Sequence, residues 1–231
     1  MLDALEQRFF SIEADVFYAE GRFCIAHTSW GIRKKKTLES LYLMPLSNRY
    51  HENKGNIYTD SPQELELMLD LKGVWSKEAL DSLNRLAERY RHILTVFVNG
   101  EKQPGAVRLL LSGDGAKYLA AKWNPRYFSI DGGLSDIDSP LDANVICRVS
   151  AAYRSVFRWR GRGVMPAEER LQLKQLVTSA HEQGRKIRFW ACPQRKSVWN
   201  ELLQAGVDWI NVDNLSRFSR FYSVWASRAG H

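Results

Sequence analysis

The feature that most constrains this chain is an alternation of strand-like and helix-like segments in which the strands have two unlike faces. Residues 65–72 read Leu-Glu-Leu-Met-Leu-Asp-Leu-Lys. Leu65, Leu67, Leu69 and Leu71 therefore share one side, and Glu66, Met68, Asp70 and Lys72 share the other. Residues 11–17 set Ile12, Ala14 and Val16 against Ser11, Glu13 and Asp15. The opposition recurs at 187–192, with Ile187, Phe189 and Ala191 against Arg188, Trp190 and Cys192, and at 209–213, with Ile210 and Val212 against Asn211 and Asp213. Further strand-like runs fall at 22–27, 107–112, 127–131 and 145–151. Helical periodicity covers 37–48, 77–94, 116–123, 166–183, 197–205 and 216–227. Pro166 at a first helical position, Glu168 and Glu169 in the first turn and Gly184 as a stop frame the helix at 166–183.

A central strand of an open sheet has helices on both faces and reads apolar throughout. Strands that are greasy on one side and turn polar toward their carboxyl ends suit a barrel, with helices outside and a polar mouth. The expected fold is α/β, a TIM-type (β/α) barrel, and residues 1–231 read as one domain, since no linker or repeat divides them. Residues 22–27 read as the return of a hairpin-like extension of the strand at 11, which leaves about seven barrel strands. The chain opens inside a helix at 2–9 with no strand before it. The barrel is thus expected to lack its first strand, an N-terminally incomplete domain.

Composition enters by what it excludes. No run of 18 uncharged apolar residues is present to span a membrane, and MLDALEQRFF has none of the order of a signal peptide. The compartment stays open: cytoplasmic as the chain stands, exported if the true start lies upstream. Cys24, Cys147 and Cys192 form no metal-type spacing and read as small buried strand residues. The net charge of +7 favours an anionic partner. No stacking motif or helix-turn-helix accompanies it, so nucleic acid is not expected. The dense run Lys34-Lys35-Lys36 is either a solvated loop or a rim that attracts phosphate or headgroups. In 216–227, Phe218, Phe221, Tyr222 and Trp225 face one way and Arg217 and Arg220 another, which suits packing on the barrel or a peripheral membrane contact. The oligomeric state has no signature.

The polar strand ends carry the chemistry. Glu13 and Asp15 point the same way, and Asp70 and Lys72 repeat that spacing on the next barrel strand. Three carboxylates aimed at one cavity repel unless a cation gathers them or some take up protons. Hard oxygen ligands with room for water and substrate suit Mg2+ first and Ca2+ second. Lys72 beside them would neutralise a phosphate oxygen, and His27, in phase with Phe23 and Ile25, is a candidate general acid or base. Carboxylates two apart on one strand act jointly, as ligands do, rather than flanking a glycosidic bond.

The blocks SIEADVF, FCIAHTS and LMLDLKG resemble the glycerophosphodiester phosphodiesterase superfamily of PLC-like phosphodiesterases. Asp-x-Lys in place of Glu-x-Lys is nearer the sphingomyelinase D-like members. TLESLYLMPL, VRLLLSGD, YFSIDGGLSD, FRWRGRGVMPAEE, GRKIRFWACP and AGVDWINVDNL resemble, in order, the bacterial and fungal group named after altered inheritance of mitochondria. That resemblance implies Glu13, Asp15 and Asp70 as metal ligands, His27 as one of two catalytic histidines, and Lys72 as a phosphate contact. Trp190 would line the pocket, with Asp131, Asn211 and Asp213 as weaker candidates for substrate contact. The family's other histidine lies in an early His-Asn-Asp-Tyr-like block that nothing here matches, and His51, His92, His181 and His231 do not replace it by position. The start is expected to be misplaced, with the natural protein longer. The implied activity is metal-dependent hydrolysis of a glycerophosphodiester or phospholipid-type diester, impaired if that block is truly absent. The alternative is a pseudoenzyme that binds an anionic, phosphate-containing ligand on the same barrel.

Overall fold

The computed structural model of the protein describes residues 1–113 and 115–229. It resolves into two compact units, Met1–Asp131 and Gly132–His231.

The first unit runs α1 (Leu2–Glu6), β1 (Ser11–Ala19), β2 (Arg22–Ile25), α2 (Met44–Glu52), β3 (Leu65–Lys72), α3 (Lys77–Arg89), β4 (Val96–Val98), β5 (Glu101–Gln103), β6 (Val107–Gly113) and β7 (Phe128–Gly132). Its sheet has the order β7-β6-β3-β1-β2, parallel except for β2, which returns antiparallel on β1. Glu20 (φ 49°) and Gly21 (φ 71°) make that return possible, because a two-residue hairpin turn takes positive φ at both positions. The expected extension at 22–27 is thus a hairpin strand, ending at Ile25.

Ile12, Ala14, Val16, Leu65, Leu67, Leu69, Leu71, Leu109 and Leu111 share one core cluster with Leu46 of α2 and with Leu80 and Leu83 of α3. Each leucine so buried contributes about 1.5–3 kcal/mol. Ser76 caps α3, its hydroxyl accepting from the Ala79 N–H at 3.2 Å. The other face of the sheet carries Glu66, Met68, Ser129 and Asp131, all buried. The two faces are as unlike as the alternation requires.

Two segments depart from the periodicity. The helix expected to 94 stops at Arg89, and an unforeseen hairpin of β4 and β5 follows, closed by Asn99 (φ 52°) and Gly100 (φ 85°). The helix expected at 37–48 begins as a π-helical turn, Glu39–Leu43, and continues as α2 to Glu52. The stretch expected as helix at 116–123 is 3-10 in kind, Gly115–Lys122.

The second unit runs β8 (Ile146–Ala152), α4 (Tyr153–Val156), α5 (Ala167–Glu182), β9 (Lys186–Trp190), α6 (Lys196–Gln204), β10 (Trp209–Ile210) and α7 (Leu215–Ala229), with the parallel order β10-β9-β8. Pro166 sits one step outside α5, not within it, and Gly184 (φ 68°) ends that helix as expected. The strands expected at 187–192 and 209–213 are shorter: Ala191 turns at φ 50°, so Cys192 lies buried beyond β9 rather than in it. The buried Arg185 guanidinium donates to the carbonyls of Ile137, Ser139, Leu141 and Ile146 at 2.7–3.0 Å, tying the approach to β8 onto the start of β9. In α7, Phe218 and Phe221 lie on the Trp199 ring at 5.2 and 5.3 Å between centroids, so that face of the helix packs. Among the described residues no helix is long and apolar enough to cross a membrane.

Candidate active site

Strand register builds the site. In the parallel pairs, Asp15 stands level with Asp70, and Asp70 with Ser112. Leu111 stands level with Ile130, which brings Ser112 and Asp131 to the next rung. Asp15, Asp70, Ser112 and Asp131 therefore form one row across four parallel strands near their carboxyl ends. Glu13 is one rung below on the same face, level with Met68, and Lys72 is one rung above, level with Phe17.

Carboxylate oxygens of Glu13, Asp15 and Asp70 all lie within 4.8 Å of one another. Glu13 is exposed, while Asp15 and Asp70 are half-buried. At that spacing Asp15 and Asp70 repel by on the order of 3 kcal/mol for an effective dielectric constant near 20. Lys72 offsets this: its ammonium bonds Asp70 and lies 3.2 Å from Asp15 Oδ1. Burial works to lower the Lys72 pKa, but hydrogen bonds and charge from Asp70 and Asp15 outweigh it, so the net shift is upward and the side chain stays cationic. The other Asp15 oxygen, Oδ2, is 3.0 Å from His27 Nδ1. The His27 ring is 89% exposed, so its remaining nitrogen faces solvent. Three hard oxygen donors that converge beside open solvent are a donor set that fits Mg2+ or Ca2+.

Four contributors escaped the sequence reading. Tyr42, buried in the π-helical turn, has a phenol pKa pushed up by burial first and then by the negative charges of Asp15 and Glu13. It remains a neutral O–H close to both. Gly113 ends β6 at φ 81°, and a Cβ there would stand 2.4 Å from Asp70 Oδ1. Only a glycine leaves that carboxylate its place. Ser112 donates from its hydroxyl to Asp131 Oδ2 at 3.1 Å, and Lys117 donates to the Asp131 carbonyl at 2.8 Å.

Asp131 is fully buried in this network, beneath the solvent-facing part of the row. Trp190 and Asp213 belong to the second unit. Trp190 is exposed at the end of β9; Asp213 is exposed, its N–H donating to Gln194 Oε1 at 3.3 Å; Asn211 Oδ1 accepts from Arg188 at 2.9 Å. The other histidines have other partners: His92 with Ser47 at 2.8 Å and stacked on His51, and His181 with Asp208 at 2.8 Å. His231 lies outside the described residues.

The sequence model of the AIM6-like phosphodiesterase domain matches residues 1–130, the stretch that holds the whole carboxylate cluster. The chain belongs to the AIM6-like phosphodiesterase domain family. Among curated relatives, this AIM6-like chain is 24% identical over 244 residues to the altered inheritance of mitochondria protein 6 homolog of Arthroderma benhamiae, covering 95% of the chain and 76% of the relative. It is 26% identical over 257 residues to altered inheritance of mitochondria protein 6 of Eremothecium gossypii, covering 96% of the chain and 66% of the relative. Its fold is shared with a glycerophosphodiester phosphodiesterase from Parabacteroides distasonis at TM-score 0.59 and 12% identity, over 99% of this chain and 88% of that one. A second, from Agrobacterium tumefaciens, matches at TM-score 0.51 and 14% identity, over 95% and 89%. The AIM6-like chain thus has the α/β fold of the TIM-type phosphodiesterase barrels.

Proposed function

We propose that the protein is a metal-dependent phosphoric diester hydrolase acting on a glycerophosphodiester or a phospholipid-type headgroup, on a (β/α) barrel scaffold. The observation that carries this is the convergence of Glu13, Asp15 and Asp70, with a cation at Lys72 and an imidazole at His27 both held on Asp15. Glu13, Asp15 and Asp70 would hold Mg2+, with Ca2+ as second choice. Bound there, the ion would supply Lewis-acid polarisation of a phosphoryl oxygen. Lys72, cationic beside Asp15 and Asp70, would pair with a phosphoryl oxygen of the substrate. Asp15 fixes the tautomer of His27 by accepting from Nδ1–H, which leaves Nε2 to take or give a proton at the reacting oxygen. Tyr42 would offer a neutral phenol near the same carboxylates, whose charge helps to keep it protonated. Trp190, Asp131 and Asp213 are proposed substrate contacts of a second rank.

Hydrolysis of bis(p-nitrophenyl) phosphate is the test. Turnover with Mg2+ that EDTA abolishes and fresh Mg2+ restores is the expected result; absence of turnover, or indifference to EDTA, would sink the proposal.

A second reading has one observation behind it. Among the described residues, His27 is the imidazole that touches the carboxylates, whereas acid-base cleavage in two steps uses both a donor and an acceptor of protons. On that reading the protein binds a phosphate-bearing ligand without turning it over. Tight binding of a diester in the presence of Mg2+, with no product released, would favour it.

A further inference from the structure

Two large apolar side chains stand almost wholly in water in the first unit, Val74 at 95% exposure and Trp30 at 91%. Both follow closely on residues of the candidate site. Trp30 is three residues past His27 and Val74 two past Lys72, and His27 and Lys72 each bond Asp15. At under 3.8 Å per residue their Cα atoms lie within roughly 11 and 8 Å of those of His27 and Lys72.

Neither side chain is exposed because its backbone is loose. Gly73 turns at φ 78°, and the next residue but one, Trp75, is buried, lies stacked on Phe23 and donates from Nε1 to the Lys72 carbonyl at 3.1 Å. Val74 is thereby held outward between a turn and an anchor. Trp30 sits in the 3-10 turn Ser29–Gly31, where the Gly31 N–H donates to the Thr28 carbonyl at 2.9 Å and Arg33 donates to the carbonyls of Trp30 and Ile32 at 3.2 and 3.0 Å.

Past Gly31 and Ile32 come Arg33, Lys34, Lys35 and Lys36, all exposed. Lys34 pairs with Glu20 at 2.7 Å. Fixed exposed apolar groups beside a cationic run are the composition of a surface that enters a lipid interface, with rings among the acyl chains and cations at the headgroups. Scattered exposed hydrophobic residues need no explanation. Two of the most exposed among the described residues, Val74 two residues past the end of β3 and Trp30 in a turn three residues past His27 and ahead of four cations, do.

We propose that this rim, Trp30 and Val74 with Arg33 and Lys34 to Lys36, docks the protein on an anionic phospholipid bilayer and brings the carboxylate cluster to headgroup level. The proposal rests on the phosphodiesterase reading for its consequence: the substrate is a diester still embedded in a membrane rather than one free in solution. Docking itself is read without catalysis.

The full chain is sedimented with vesicles of phosphatidylcholine mixed with phosphatidylglycerol, and with vesicles of phosphatidylcholine alone. The expected result is binding to the mixed vesicles that weakens with added salt and falls roughly tenfold or more in Trp30→Ser/Val74→Ser. Lys35→Glu/Lys36→Glu is expected to remove the preference for the anionic vesicles. Both variants change exposed side chains, and their hydrolysis of bis(p-nitrophenyl) phosphate without vesicles is expected to equal that of the parent chain. Equal vesicle binding by parent and Trp30→Ser/Val74→Ser would overturn the docking surface while leaving any diester hydrolysis intact. So would a dimer that this variant converts to monomer with no vesicle binding at all. Vesicle binding that depends on Trp30 and Val74 in a protein with no hydrolysis supports the docking surface and overturns the phosphodiesterase reading.

Discussion

Asp15 has one oxygen on the Lys72 ammonium and the other on the His27 ring, so a single carboxylate holds a cation and an imidazole side by side. The two neighbours are separable by substitution. His27→Gln keeps a polar side chain of related reach but no acid-base function, and kcat for diester hydrolysis is expected to fall by about 10²–10⁴-fold. Mg2+ affinity, measured by calorimetry, is expected to fall by no more than about 10–100-fold, because His27 contributes no oxygen to the cluster and acts on it only through Asp15. A larger loss of affinity would move His27 into the ligand set. Glu13, Asp15, Asp70 and Lys72 were legible as neighbours because period-two alternation fixes the face of each residue on a strand, and strand ends share one mouth. His27 was read in phase with Phe23 and Ile25, yet it lies in a bend two residues past the end of β2 and meets Asp15 from there. Tyr42 was not, since a π-helical turn breaks the 3.6-residue phase by which a helix face is read. Ser112 and Gly113 were hidden for another reason: register between strands is not written in either strand alone.

At the scale of elements, β6 supplies its share of the site through a backbone shape. Gly113→Ala would put a methyl group 2.4 Å from Asp70 Oδ1 and 2.6 Å from the Leu71 carbonyl, in a left-handed conformation. The conformation alone costs about 1–2 kcal/mol. Urea unfolding of this variant is expected to show at least that loss, accompanied by weakened Mg2+ binding as Asp70 is displaced; unchanged stability would mean that the strand end yields freely. The strands themselves were legible down to most of their boundaries. The hairpin of β4 and β5 had its sign in plain view, Asn99-Gly100 between Val98 and Glu101, and was covered by a helical period that ran on past its true stop at Arg89. The shortness of β10 had no sign, because Trp209 to Asp213 alternates well beyond the two residues that pair.

For the molecule as a whole, the cysteines give a test that samples both units at once. Cys24, Cys147 and Cys192 are buried thiols outside any disulfide, and burial pushes the Cys192 thiol up to about 12. Near pH 8 the native protein is expected to show no fast-reacting thiol with Ellman's reagent, and three after denaturation in guanidinium. A thiol that reacts in the native state would mark an opening of the fold around it. The fold class was legible because unlike strand faces exclude an open sheet covered on both sides. The division into two compact units was not, because no linker composition marks residues 131 and 132. One further consequence lies in the level row of Asp15, Asp70 and Ser112. Sliding β3 by a single position against its neighbours would send Asp70 into the leucine layer beneath the helices and bring Leu71 to the mouth. The same error would bury a charge and disperse the carboxylate cluster, so the stability of the sheet and the assembly of the cluster hang on one register.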